Sequence, residues 1–163
     1  MKLDVGGTVS NWPANSIPAT GNGGVAQCVT GNPGGVGYID VADAIKANLP
    51  YAEVKNKAGS FVKADLAGAK AALAGAGAEA TDDLLYNPLN ADGQNSYPIT
   101  SPTWIVVYKV QPTKARGEAL KGWLNYILTD GQSQAAGSGY AAIPSGLQAK
   151  AIAQLSKLVI PAS

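Results

Sequence analysis

The sequence predicts an α/β fold, and three observations lead there. Apolar residues recur at helical spacing in several segments, and between those segments lie short β-branched or glycine-flanked apolar runs suited to strands. Hydrophobic residues make up 46% of the chain and charged residues only 14%, a balance that favours a packed core over disorder. The 20 glycines and 10 prolines imply many turns between short elements. A length of 163 residues lies within the range of one globular unit.

The first element is a helix opening at Asn22, which can cap Gly23-Gly24-Val25-Ala26-Gln27-Cys28-Val29; Val25, Cys28 and Val29 share one face, and Gly31-Asn32-Pro33 stops it. Gly35-Val36-Gly37-Tyr38-Ile39 reads as a short buried strand. Asp40 can cap a second helix that buries Val41, Ala44 and Ile45, with Pro50 as its end. Tyr51 to Asn56 alternates weakly, as an edge strand does, and Lys57-Ala58-Gly59 turns the chain toward Phe61-Val62. A helix from about Asp65 to Leu73 keeps Leu66, Ala69 and Leu73 in register, while the Ala/Gly-rich stretch to Ala80 predicts a poorly anchored end. Thr81 to Ser96 is expected to be loop.

Trp104-Ile105-Val106-Val107-Tyr108, entered through Pro98 and Pro102, is the clearest strand pattern in the chain. Pro112 and Thr113 open a helix with Leu120, Trp123, Leu124 and Ile127 on its apolar face, and Gly131 is the expected stop. The last helix begins at Ser145 with Gln148 in capping-box spacing and carries Leu147, Ala151, Leu155 and Leu158. No internal repeat is visible. Composition changes from Ala/Gly-rich before Asn95 to aromatic and β-branched after Tyr97, so Tyr97 to Pro102 could join two lobes.

Charge and residue type exclude several functions. Lys plus Arg number 12 against 11 Asp plus Glu, so no net field steers the chain onto nucleic acid or an anionic membrane. There is no histidine, which removes the commonest general base and metal ligand, and Cys28 is the only cysteine. No apolar run approaches the ~20 residues that span a bilayer. Met1 to Gly7 does not look like a secretory leader, so either the protein is cytosolic or the sequence begins internally.

Three strings carry a resemblance: Gly21-Asn22-Gly23-Gly24-Val25-Ala26, then Asn32-Pro33-Gly34-Gly35-Val36-Gly37-Tyr38-Ile39-Asp40, then Tyr97-Pro98-Ile99-Thr100-Ser101-Pro102-Thr103-Trp104. With Asn11-Trp12-Pro13, Thr129-Asp130-Gly131-Gln132 and Gly139-Tyr140-Ala141-Ala142-Ile143-Pro144 they resemble, in order and spacing, the PstS-type phosphate-binding proteins across nearly the whole chain. The resemblance implies the type II periplasmic-binding-protein fold, α/β in both lobes, closing on a dehydrated phosphate. It further implies that residues 1–96 are the remainder of lobe two, 97–102 the inter-lobe crossing, and 103–163 the C-terminal part of lobe one.

The role it implies is that of the periplasmic or cell-surface receptor of an ABC-type phosphate importer, partnered by permease subunits, with no cofactor, no enzymatic activity and no direct membrane insertion. The family's phosphate ligands include an Arg-x-Asp-x-Ser-Gly-Thr segment, and none of them matches a position here. The only arginine is Arg116. The expectation is therefore a C-terminal part whose phosphate ligands lie upstream of Met1. Missing strands would leave open sheet edges, and with them a tendency to associate. A related surface or secreted protein that kept the fold without transport is the alternative, and a His-free enzyme using a Ser–Lys pair is a third.

Local candidates are weighed against ordinary structural roles. Gly21 to Gly24 stands at a helix start where free N–H groups could meet an anion, but it lacks a P-loop's Gly-Lys-Ser/Thr and reads as a structural helix start. Asn90-Ala91-Asp92-Gly93 lacks the ligands of a calcium loop and reads as a turn. The acid pairs Asp82-Asp83 and Asp40/Asp43 read as caps or solvated groups rather than acid–base pairs. Lys114, Arg116 and Lys121 form a basic helix face, ordinarily a solvated one, that could touch a transporter subunit. Cys28 reads as a core residue.

Overall fold

In the computed structural model, residues 12–77 and 79–162 are described. Met1 to Gly7, with the leader question, and Asn11 of the Asn11-Trp12-Pro13 string lie outside them. The chain separates into two compact units, one ending at Pro50 and the other beginning at Tyr51.

The first unit holds helices α1 (Gly21–Gly31) and α2 (Val41–Lys46). Asn22 is not the cap of α1: Thr20 holds that position, and no side chain caps the helix. The apolar face forms as its spacing predicts. Gly37 lies so close to it that a Cβ there would stand 2.7 Å from Val25 Cγ1 and 3.0 Å from Val29 Cγ2, so the absent side chain is what admits the contact. Asp40 does occupy the N-cap of α2, but its main-chain carbonyl, not its carboxylate, accepts from Asp43 and Ala44 N–H. Well before Pro50, α2 ends in a Schellman motif: Asn48 takes φ 51°, its N–H meets the Ile45 carbonyl, and Leu49 N–H meets the Ala44 carbonyl.

Two expectations fail here. Ile45 is exposed, leaving Ala44 as the buried residue of α2. Gly35 to Ile39 forms no strand, and Val36 is 97% exposed. A strand exists only where a neighbour completes its ladder, and the described residues of this unit supply none. Instead Tyr38 stacks on Trp12, with ring centroids 6.3 Å apart.

The second unit opens with a hairpin of β1 (Val54–Lys55) and β2 (Phe61–Val62), antiparallel, with Val54 opposite Val62 and Lys55 opposite Phe61. Its loop returns through Gly59 at φ 87°, a conformation that favours glycine. Next comes α3 (Leu66–Gly77), begun by an Asp65 carboxylate that accepts from Gly68 N–H at 2.7 Å. It runs past Leu73 because its small residues are packed rather than frayed: Ala72, Leu73, Ala76 and Gly77 are all buried. Thr81 to Ser96 is loop, as expected.

Helix α4 (Lys114–Leu128) starts where Pro112-Thr113 predicts, the Thr113 hydroxyl accepting from Arg116 N–H at 3.3 Å. Its buried positions are Gly117 and Leu124, while Trp123 is 54% exposed. Gly131 is not the stop. The helix closes at Thr129, whose hydroxyl donates to the Asn125 carbonyl, and Gly131 falls inside a following 3-10 turn, Asp130–Gln134. Helix α5 (Ser145–Gln154) has no capping box: Pro144 is its N-cap, and Gln148 sends its amide to the Leu128 carbonyl instead. Its apolar face packs as the spacing predicts, with Leu147, Ala151 and Leu155 buried among α3, α4 and α5. Each such leucine contributes roughly 1.5–3 kcal/mol.

The run Trp104 to Tyr108 is not part of a sheet in this structure. Val106 is 92% and Tyr108 88% exposed, and the chain bends at Lys109. The run's sequence has strand character, but no described strand pairs with it: Trp104 donates from Nε1 to the Leu84 carbonyl at 3.3 Å and meets the Tyr86 ring edge-on, the Tyr108 carbonyl accepts from Gln111 Nε2, and just beyond lies one parallel bridge, Val110 to Val159. The architecture is thus mixed helix and sheet, with helices dominant.

Candidate functional site

In the first unit, the start of α1 is the feature with anion-binding potential, since the leading N–H groups and the helix dipole favour negative charge. The side chains around it argue the other way. Asn22 Nδ2 donates to Asp40 Oδ2 and to Asp43 Oδ2, both at 2.8 Å, which brings two carboxylates to the first turn of α1. They supply the negative charge the helix end prefers and repel a further anion. The bonds join α1 to α2, so Asn22, Asp40 and Asp43 form a structural clasp. Cys28 is half-buried, not fully core, with Asn32 Nδ2 on its carbonyl at 2.7 Å.

In the second unit, the loop after α3 is organised by a residue that the sequence does not single out. Asn56 is 6% exposed, and its amide donates to the carbonyls of Gln94 at 2.8 Å and of Gly93 and Ser96 at 3.2 Å. Its own carbonyl oxygen accepts from Ser60 N–H at 3.0 Å. One side chain therefore closes the hairpin loop and pins the 93–96 turn. The nearest sequence signal is the turn chemistry of Asn56 to Gly59, which announces a bend but not its partner. Asn90 to Gly93 is a turn, with Asn90 at φ 53° and Gly93 at φ 123°. Asp92 pairs with Lys57 at 2.7 Å, and that bond with its charge raises the lysine pKa above its ordinary value.

The remaining candidates sit apart. Asp82 and Asp83 are exposed, Asp83 lying 3.6 Å from Lys157. Lys114, Arg116 and Lys121 are exposed on α4 and make no ion pair among the described residues. A shallow apolar hollow of about 240 Å³ lies between α3 and α5, lined by Ala74, Gly77, Pro144, Gly146, Leu147 and Lys150. Lys150 is half-buried there, but its ammonium donates to the Ala80 carbonyl at 2.8 Å rather than facing a serine hydroxyl. No group of His, Cys, Asp and Glu among the described residues is arranged to hold a metal ion. No described helix is long and apolar enough to cross a membrane.

Tyr86 and Tyr97 are half-buried, and burial raises the pKa of both above 10.0. The folded state then holds these protons more tightly than the unfolded chain, so the stability they support is complete below pH 10 and lost as pH rises through the folded values. Urea midpoints are expected to hold up to about pH 10 and to fall as pH rises above it. The loss should be smaller in a Tyr86→Phe/Tyr97→Phe double variant, and equal losses in both proteins would remove these two groups as the cause.

The chain is similar to the phosphate-binding protein PstS of Methanocaldococcus jannaschii, 34% identical over 160 residues, covering 88% of this chain and 40% of the relative. It is also similar to PstS of Xylella fastidiosa, 29% identical over 141 residues (86% of this chain, 38% of the relative), and to PstS of Pasteurella multocida, 28% identical over 143 residues (88% and 41%). The chain thus spans about 40% of the length of these curated relatives. A family model described as the PBP superfamily domain matches residues 7–131, more than half of the sequence, and the chain belongs to that superfamily.

Proposed function

We propose that this chain is the C-terminal portion of a phosphate-binding receptor that serves an ABC-type phosphate importer. The observation that carries the proposal is the combination of relatives, each named a phosphate-binding protein, with coverage of nearly all of this chain but only about 40% of theirs. In this reading residues 1–96 complete lobe two, 97–102 is the crossing between lobes, and 103–163 is the C-terminal part of lobe one. The crossing is an anchored segment within the second unit: Asn90 N–H meets the Pro98 carbonyl at 2.8 Å, Tyr97 N–H meets the Gly68 carbonyl at 3.1 Å, and Thr100 is buried. The full-length receptor works in the periplasm or at the cell surface, binds phosphate between its lobes and delivers it to permease subunits. It is a binding protein and not an enzyme.

A dehydrated phosphate needs a dense set of donors to replace its water. The one helix start with the right polarity in the first unit already faces Asp40 and Asp43, so it does not serve as that set. The phosphate ligands accordingly belong to the receptor's preceding part. Isothermal titration of the 163-residue chain with inorganic phosphate at pH 7 tests this. The expected result is no heat of binding at micromolar concentrations, corresponding to a Kd weaker than about 1 mM. Micromolar or tighter binding would place the ligands within this chain and overturn the assignment.

A further inference from the structure

We propose that Asn22-Gly23 is a site of spontaneous deamidation, and that the clasp of Asn22 with Asp40 and Asp43 is the latch that sets its rate. It is the one Asn-Gly pair in the sequence. Ring closure at an asparagine needs the next residue's main-chain nitrogen to approach the side-chain carbonyl carbon, and glycine, with no Cβ, hinders that approach least.

The nucleophile is unencumbered. Gly23 stands in the first turn of α1, where N–H groups have no intrahelical partner, and no described group outside the helix accepts from it. Asn22 is half-buried and Gly23 exposed, so water reaches the pair. The turn itself is weakly built. Gly21, Gly23 and Gly24 are three of its first four residues, and glycine favours a helix least apart from proline. Gly21 takes φ 64°, outside the helical range, and Thr20 supplies no side-chain cap.

What fixes the turn is the asparagine side chain, whose Nδ2 donates to Asp40 Oδ2 and Asp43 Oδ2, both at 2.8 Å. Hydrogen bonds to charged acceptors are the strong ones. They act on the reaction twice. They keep Asn22 in the helical turn, so that ring closure waits for local opening. They also hold the leaving nitrogen as a neutral donor to two anions, the opposite of the protonation it needs in order to depart.

In the opened turn, Gly23 N bonds to Asn22 Cγ and the Cγ–Nδ2 bond breaks. Nδ2 leaves as ammonia, carrying the proton that Gly23 N gives up through water. The five-membered imide is then hydrolysed by water, at Cγ to give aspartate or at the main-chain carbonyl to give isoaspartate. Either product replaces a donor by a third carboxylate facing Asp40 and Asp43, and like charges so close repel. Modification therefore unlatches α1 from α2.

The inference is independent of the phosphate reading, because neither outcome of the titration bears on it. Peptide mapping by mass spectrometry on the intact chain, aged in mildly alkaline buffer, should find conversion at residue 22 ahead of every other asparagine. In Gly23→Ala, whose added Cβ meets nothing within 4 Å, the fold should persist and conversion should slow severalfold. Asp43→Ala should speed conversion about tenfold, the change in open population that goes with about 1.4 kcal/mol of lost latch. Should that variant lose helical signal, Asp43→Asn, which keeps an acceptor oxygen without the charge, carries the same comparison. The deamidated chain, separated by its extra negative charge, should unfold at a lower urea midpoint than the parent. Conversion no faster at Asn22 than at other asparagines, a rate unchanged by Gly23→Ala or by the Asp43 substitutions, or a product as stable as the parent would each overturn the proposal.

Discussion

Replacing Asn56 by leucine is expected to lower the stability of the second unit by about 3 kcal/mol, because it leaves three inward carbonyls and the Ser60 N–H without their partner. The residue is almost fully buried, so water does not readily take the place of the lost amide. Urea unfolding would show the loss as a lower midpoint at an unchanged slope. Asn56→Asp sharpens the test. Its carboxylate keeps an acceptor for Ser60 but presents negative charge to three carbonyl oxygens, which raises its folded-state pKa above the unfolded value. The variant should therefore be at least as unstable as Asn56→Leu near pH 7 and recover as pH falls through the folded value. Two variants with equal, pH-independent midpoints close to the parent's would show that the carbonyls do not depend on this amide.

The second large effect is expected at Leu124. It is the one large buried side chain of α4, 7% exposed where α4 packs on α5. Leu124→Ala should cost about 3 kcal/mol, the sum of lost transfer energy and the cavity left behind. Trp123→Ala, the larger truncation, should cost less than Leu124→Ala, about 2 kcal/mol, because roughly half of the indole is already in solvent and its loss leaves no enclosed cavity. Thermal melts of the two variants decide between them, and a greater loss at Trp123 would contradict the packing seen here.

That contrast shows what the sequence carries and what it withholds. Helix positions were legible, because periodicity and caps are local: Thr113 begins α4, and Leu147, Ala151 and Leu155 line α5 as their spacing predicts. Which residue of an apolar face reaches the core depends on the partner helix, so Leu124 and Trp123 could not be ranked. Strands were less legible. Trp104 to Tyr108 has the right residues, yet a ladder needs a second segment, and propensity does not supply one. Asn56 was invisible for a similar reason: its partners lie 37 to 40 residues onward. The clasp of Asn22 with Asp40 and Asp43 was half visible, its members noted separately as a cap and an acid pair and joined only by the packing of α1 on α2. Superfamily membership was the most legible property, since glycine- and proline-rich strings keep their order whether or not each strand is paired.

The parallel bridge between Val110 and Val159 sets an order of events for the second unit. Joining these positions closes a loop that contains both α4 and α5, and closing a loop of some fifty residues costs on the order of 3 kcal/mol of chain entropy. The two backbone bonds that seal it return less than that on balance. The seam is therefore held by the docking of the helices, forms after they meet, and is the first contact to part when they loosen.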